Sequence, residues 1–181
     1  MIRTTIQSIS PALALLLWVL PAAGVTLPSQ VLWVTDGDTI VVRGPGNAQY
    51  RVRLAGIDAP ELNQPYGQAS KDHLSRRVTG RFVVVDWDKR NRYMSLVGKV
   101  LLGDQDVCLE QVRAGLAWHN KQGEQTRTDR LRYARAEEEA RGAERGLWAD
   151  PNPIRPWEWR SGKRLPEEEP AADNPPEVRR R

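Results

Sequence analysis

The chain of 181 residues has a single cysteine, Cys108, so no disulfide can form within it and stability has to come from an ordinary core. Cys108 is either a reactive thiol or, as its helical surroundings favour, a small buried hydrophobe. Histidine is nearly as scarce. His73 and His119 have no cysteine or histidine partners at zinc spacing, which excludes a zinc site of that kind and leaves both as surface or helix-packing residues. A Gly-rich phosphate loop and a Gly-x-Ser-x-Gly elbow are both absent, which removes two common routes to nucleotide and ester chemistry. Long apolar runs are missing as well. The longest, Ala12 to Leu20, falls well short of the roughly 20 residues that a membrane span requires. The formal net charge of +4 is spread along the chain rather than blocked, a weak bias that suits a polyanionic partner without identifying one.

What is present begins with a leader. Arg3 gives a positive start, Ala12 to Leu20 an apolar middle, and Pro21-Ala22-Ala23-Gly24 a small-residue end, so residues 1–24 read as a secretory signal peptide. An uncleaved N-terminal anchor is the alternative. The expectation is an exported protein, periplasmic or secreted, monomeric and without stable membrane association once the signal is removed. Residues 163–181 carry Glu167-Glu168-Glu169, four prolines and Arg179-Arg180-Arg181 with little apolar matter, the composition of a disordered charged tail. Between them, residues 25–162 form one domain.

Within the domain, Gln30–Val34 and Thr39–Arg43 read as strands joined at Asp36-Gly37, where the glycine is expected to supply a positive φ. Tyr50, Val52 and Leu54 alternate with Arg51 and Arg53, which puts Arg53 on the face opposite the apolar set. Gly67 to Thr79 reads as a helix with Ala69, Leu74 and Val78 inward. Phe82–Val85 and Leu96–Leu102 are further strands. Val107–Ala114 is a helix stopped by Gly115, and Arg127–Arg145 a longer one capped by Gly146. The proline-tryptophan stretch Pro151–Trp159 is expected to lie over the surface, with Trp148, Trp157 and Trp159 covering the last helix. Trp118 is a packing residue with base stacking as the alternative. The pattern is α+β, five short strands and three helices, and a closed barrel of the OB type is one architecture that suits it.

The chemistry concentrates in two acidic clusters, Asp36-Gly37-Asp38-Thr39 and Asp58-Ala59-Pro60-Glu61, with Arg53 between them. Carboxylates and a backbone carbonyl suit a hard divalent cation, and an arginine beside them can grip a phosphate. Either cluster alone reads as no more than a turn or a loop entering a helix. Together, in this order, and followed by Tyr66-Gly67-Gln68-Ala69, Val112 to Trp118 and Arg145-Gly146-Leu147-Trp148, they resemble the staphylococcal-nuclease-like, or thermonuclease, family from about Val31 to Arg160.

The resemblance implies a five-stranded OB-fold β-barrel with three helices and a calcium-dependent nuclease acting on DNA and RNA. It implies that Asp38, Asp58 and the carbonyl of Ala59 bind the metal, with Asp36 supporting them. It gives Arg53 the phosphate and Glu61 the attacking water, as base or positioner. Arg92 and Tyr93 are expected on the substrate side. One position departs from the pattern. Where the family carries a second catalytic arginine, this chain has Ser95, with Asn91 and Met94 also substituted nearby. Three readings follow: Lys89, Arg90 or Arg92 replaces the missing cation; the nuclease runs slowly on calcium and Arg53; or the domain is a weak or inactive OB-fold module that binds nucleic acid. The presence of Asp36, Asp38, Arg53, Asp58 and Glu61 together favours an enzyme.

Overall fold

The computed structural model describes residues 25–91, 95–123 and 125–164. The leader, Arg92, Tyr93 and most of the charged tail lie outside them.

β1 (Val25–Asp36) is long enough to serve two neighbours. Its first half pairs antiparallel with β5 (Phe82–Arg90), Val25↔Trp87 to Gln30↔Phe82, and its second half with β2 (Thr39–Arg43), Gln30↔Arg43 to Asp36↔Thr39. Register shifts between Val31 and Trp33 and between Val34 and Asp36 let the strand bend from one partner to the other, the usual work of a bulge at a barrel corner. β2 pairs with β3 (Gln49–Leu54), and β5 with β6 (Leu96–Leu102). Parallel pairing of β3 with β6, Val52↔Leu96 to Leu54↔Gly98, closes the five strands into the expected OB-type barrel, which leaves no free edge among them.

The alternation in β3 holds: Val52 and Leu54 are buried while Arg51 and Arg53 point away from the core. Val31, Ile40, Val52, Leu54, Val85 and Val100 fill the barrel. α1 (Gly67–Val78) closes one end with Leu74 and Val78, and α2 (Val107–Arg113) adds Val107, Cys108 and Val112. Asp106 caps α2 by accepting from the Leu109 N–H at 3.0 Å, and its carboxylate also takes the Tyr133 hydroxyl at 2.9 Å, which ties α2 to α3 (Arg127–Gly142).

Several elements differ from the sequence reading. β4 (Ile57–Asp58) and β8 (Trp118–His119) form a short ladder that two-residue runs do not announce, and β7 (Gln105–Asp106) turns back to pair antiparallel with the end of β6. β5 runs past Val85 to Arg90. Ala69 is exposed, and Ser70 takes the inner position on α1 because its hydroxyl donates to the Leu116 carbonyl at 2.7 Å. α3 ends at Gly142 with Ala143 at its C-cap, so Gly146 begins a separate 3₁₀ turn instead of capping it. The Pro-Trp stretch is no featureless cover: Pro156–Arg160 forms a fourth helix, α4, with Pro156 buried at its start.

Candidate active site

The two acidic clusters meet at the end of the barrel where β1 turns into β2 and β3 turns into β4. The Leu54 N–H donates to the Asp38 carbonyl at 2.8 Å, so the chain leaving β3 is tied to the β1–β2 turn. The turn itself is held from behind. Gln111, buried on α2, donates from Nε2 to the Gly37 carbonyl at 2.8 Å and to the Ser70 carbonyl at 3.2 Å, while its Oε1 meets His73 Nδ1. Gly37 does not adopt the expected positive φ. It is required for another reason: a Cβ there would lie 2.0 Å from Ser70 Oγ and 2.7 Å from Ala59 Cβ. Close packing of the turn on α1 and on Ala59 is what brings Asp38 to Asp58.

Asp38 and Asp58 are only 3% and 4% exposed. Asp38 Oδ1 accepts from Thr39 Oγ1 at 3.0 Å, and Oδ2 from the Ala59 N–H at 3.0 Å. Asp36 Oδ1 accepts from the Asp38 N–H at 3.1 Å, which fixes the turn. Arg53 Nη2 reaches Asp38 Oδ2 at 3.1 Å and Asp58 Oδ1 at 2.7 Å. Burial pushes the Asp38 carboxyl up to about 7 against the pull of Arg53. Burial also works against the charge on Arg53, but Asp38 and Asp58 outweigh it and raise its affinity for the proton.

Glu61 lies at the rim, partly exposed, in the loop before α1. Gly67 lets that loop approach: a Cβ at Gly67 would stand 1.8 Å from the Glu61 carbonyl oxygen. The loop is braced further by Gln64, whose Oε1 accepts from the Glu61 N–H at 3.1 Å and whose Nε2 donates to the Ile154 carbonyl at 2.6 Å.

Arg160, on α4, was not among the sequence candidates, yet it enters the site. Its Nη2 is 2.7 Å from Asp58 Oδ2 and its Nη1 is 2.7 Å from Glu61 Oε1 and 3.3 Å from Asp58 Oδ1. The hydrogen bonds to Asp58, then those to Glu61, outweigh burial and raise its basicity further. Local sequence carries no signal for this contact, which spans 102 positions in the chain. Ser95 is buried immediately before β6, where its N–H donates to Asn91 Oδ1 at 3.0 Å. Arg92 and Tyr93 fall outside the described residues. His119 is buried and pairs through Nε2 with Gln125 Oε1 at 2.9 Å, a packing role like that expected.

Two grooves flank the cluster. One, of about 520 Å³, is lined by Asp58, Trp118, Lys121, Arg141, Arg155 and Arg160. The other, of about 610 Å³, runs past Arg53, Trp87, Lys99 and Asn120. Trp118 is a packing residue, edge-on to Trp148 at 4.3 Å, and Trp157 meets it from the groove side at 6.0 Å.

The two buried carboxylates, Asp38 and Asp58, are oxygen donors of the kind a hard cation takes. Among the described residues no three His, Cys, Asp or Glu side chains stand together as a preformed cage, so a divalent ion here would complete its shell with main-chain and water oxygens.

Comparison with known proteins agrees with this arrangement. Residues 51–150 match the family described as staphylococcal nuclease homologues. A protein of Escherichia coli named an uncharacterized endonuclease is 40% identical over 152 residues, covering 83% of this chain and 96% of that one. A Haemophilus influenzae protein of the same name is 39% identical over 136 residues, 75% of this chain and 74% of its own length. A staphylococcal-like nuclease of Arabidopsis thaliana is 39% identical over 116 residues. This chain spans 35% of that plant protein and 39% of a Capnoides sempervirens relative, well under half of either. Barrel, acidic pair and matched relatives agree that the chain belongs to the family of staphylococcal nuclease homologues.

Proposed function

We propose that this chain is an exported, calcium-dependent nuclease that hydrolyses phosphodiester bonds of DNA and/or RNA, with single-stranded or frayed nucleic acid as its preferred substrate. The observation that carries this reading is the buried pair Asp38 and Asp58, brought together from separate turns and bridged by Arg53 beside an open groove. A structural ion pair alone has no need of two desolvated carboxylates on one guanidinium. Export rests on the leader at residues 1–24, and a monomer without membrane attachment is the state expected after its removal.

Asp38, Asp58 and the Ala59 carbonyl would hold calcium, which when bound polarises a phosphate oxygen and so lowers the cost of attack on an anion. The rest falls to side chains. Arg53 grips the phosphate and balances the charge that grows on its oxygens. Glu61 orients the attacking water and accepts its proton as the water oxygen forms the new P–O bond. The P–O bond to the leaving sugar oxygen breaks, and that oxygen departs with a proton from solvent. Asp36 and Gln111 hold the Asp38 turn in place and do not touch substrate.

The test is cleavage of single-stranded DNA, plasmid DNA and RNA by the purified protein, with calcium and with chelator. Calcium-dependent cleavage is expected. Oligonucleotide binding without any cleavage at high protein concentration would replace the enzyme with a binding module.

A further inference from the structure

Arg160 is the cation whose position the established motifs do not explain. Its side chain is 44% exposed and belongs to the groove as much as to the protein. Asp58, its partner, is buried, so the bidentate pair neutralises that carboxylate, yet the guanidinium still lines the groove. The chain nevertheless builds a support for it. Trp159 Nε1 donates to Asn63 Oδ1 at 3.1 Å, Gln64 anchors Ile154, and Pro156 is buried. The two hydrogen bonds fasten the C-terminal strap to the loop that carries Glu61.

Arg53 and Arg160 approach Asp58 from two sides and share its Oδ1, at 2.7 and 3.3 Å. Two guanidinium groups so placed repel each other, and each raises the cost of keeping the other. The arrangement is at its best when a further anion faces both. A phosphodiester is such an anion, and the planar fork of each arginine fits its non-bridging oxygens. A divalent cation on Asp38 and Asp58 would take over the carboxylate that both arginines now neutralise, leaving their N–H groups for the phosphate.

We propose that Arg160 is a substrate-contacting residue of this site, the second guanidinium that grips the phosphate opposite Arg53, delivered by the C-terminal strap. This rests on the nuclease reading. It moves the second cation away from the segment around Ser95, where sequence placed the candidates Lys89, Arg90 and Arg92. Arg160 stays protonated throughout; it stabilises charge and transfers no proton.

The test uses the full chain with Arg160→Ala and Arg160→Lys, their folding checked by thermal melting. Arg160→Ala is expected to lower kcat about 10²–10³-fold, the usual loss for one preorganised donor, with a much smaller change in KM. Arg160→Lys should recover part of it, since charge returns without the fork. Binding of a phosphorothioate oligothymidylate in calcium, followed by fluorescence anisotropy, should weaken at least tenfold in Arg160→Ala. An unchanged kcat overturns the proposal, and so does a raised one, which would make Arg160 a plug over the acidic pair. If the wild-type protein cleaves nothing, the nuclease reading fails on its own account. Arg160 is then judged by the oligonucleotide alone: a tenfold loss in Arg160→Ala upholds its phosphate contact, and equal binding refutes it.

Discussion

The two guanidinium groups of the site stand on very different foundations. Arg53 projects from β3, a strand paired on both sides inside a closed barrel, and its carboxylate partners are buried, Asp38 with a bond from the Ala59 N–H. Arg160 projects from a five-residue helix on a strap held by a few side-chain bonds. The barrel half is rigid because its geometry is the geometry of the core; the strap half is placed by docking. A rigid half can be preorganised for charge at no cost at the moment of reaction, whereas a docked half can yield to an entering strand. Variants can separate the two.

The largest effect is expected in the barrel half. Asp38→Ala or Asp58→Ala should lower cleavage by about 10³-fold or more, since each removes a charge that the cation and Arg53 both require. A plasmid-nicking assay over a wide range of protein concentration reads this, and cleavage within tenfold of wild type would show that the metal lies elsewhere. Next comes the support behind the turn. Gln111→Leu leaves the Gly37 and Ser70 carbonyls without their donor and should cost about 1–3 kcal/mol in urea unfolding. Because the turn carries Asp38, activity should fall with stability.

The strap should behave in the opposite way. Trp159→Phe removes the bond to Asn63 and shrinks the ring that Arg164 covers at 4.0 Å; it should change stability by about 1 kcal/mol, yet lower kcat several-fold by loosening Arg160. A drop in melting temperature without loss of rate would tie the strap to folding rather than to the site. Cys108 offers a check on the core that both halves share. Burial, with Asp106 nearby, pushes its thiol up to about 12, so a thiol reagent at pH 8 should label it only in denaturant. Labelling of the native protein at the rate of the unfolded chain would mean that α2 opens freely.

The smallest effect is expected on the wall of the groove that runs past Arg53, where Lys99 donates to Asp129 at 2.8 Å. Burial works against the Asp129 charge, but the bonds from Lys99 and Thr126 outweigh it and lower its pKa below the ordinary 3.8. The sign is that of a depressed carboxylate: the stabilisation is complete above that ordinary value and fades as pH falls through the lowered one. Urea midpoints measured from pH 5 to pH 3 should therefore fall less steeply in Lys99→Met than in the wild type.

Much of the barrel half is legible in the sequence because its signals are local. Alternation in Tyr50–Leu54 places Arg53, and the spacing of Asp38 and Asp58 around it marks a site. Where the reading failed, the cause was tertiary. Gly37 looks like a turn glycine, but the need for it comes from Ser70 and Ala59, which approach only in the fold. Ala69 has the right chemistry to face inward, yet Ser70 does so because Leu116 supplies a carbonyl for its hydroxyl. Arg160 is the extreme case. Nothing in Pro156–Arg160 announces a phosphate ligand, and its partners stand 102 and 99 positions away. Lys89, Arg90 and Arg92 neighbour Ser95 along the chain, whereas Arg160, the second cation proposed here, reaches the site through space.

The bond from Trp159 to Asn63 gives the molecule a sense of time. Every strand of the barrel and both buried aspartates precede α4 in the chain, so synthesis completes them first. A nascent chain that has not yet made α4 lacks Arg160, and with it the second grip on phosphate proposed above.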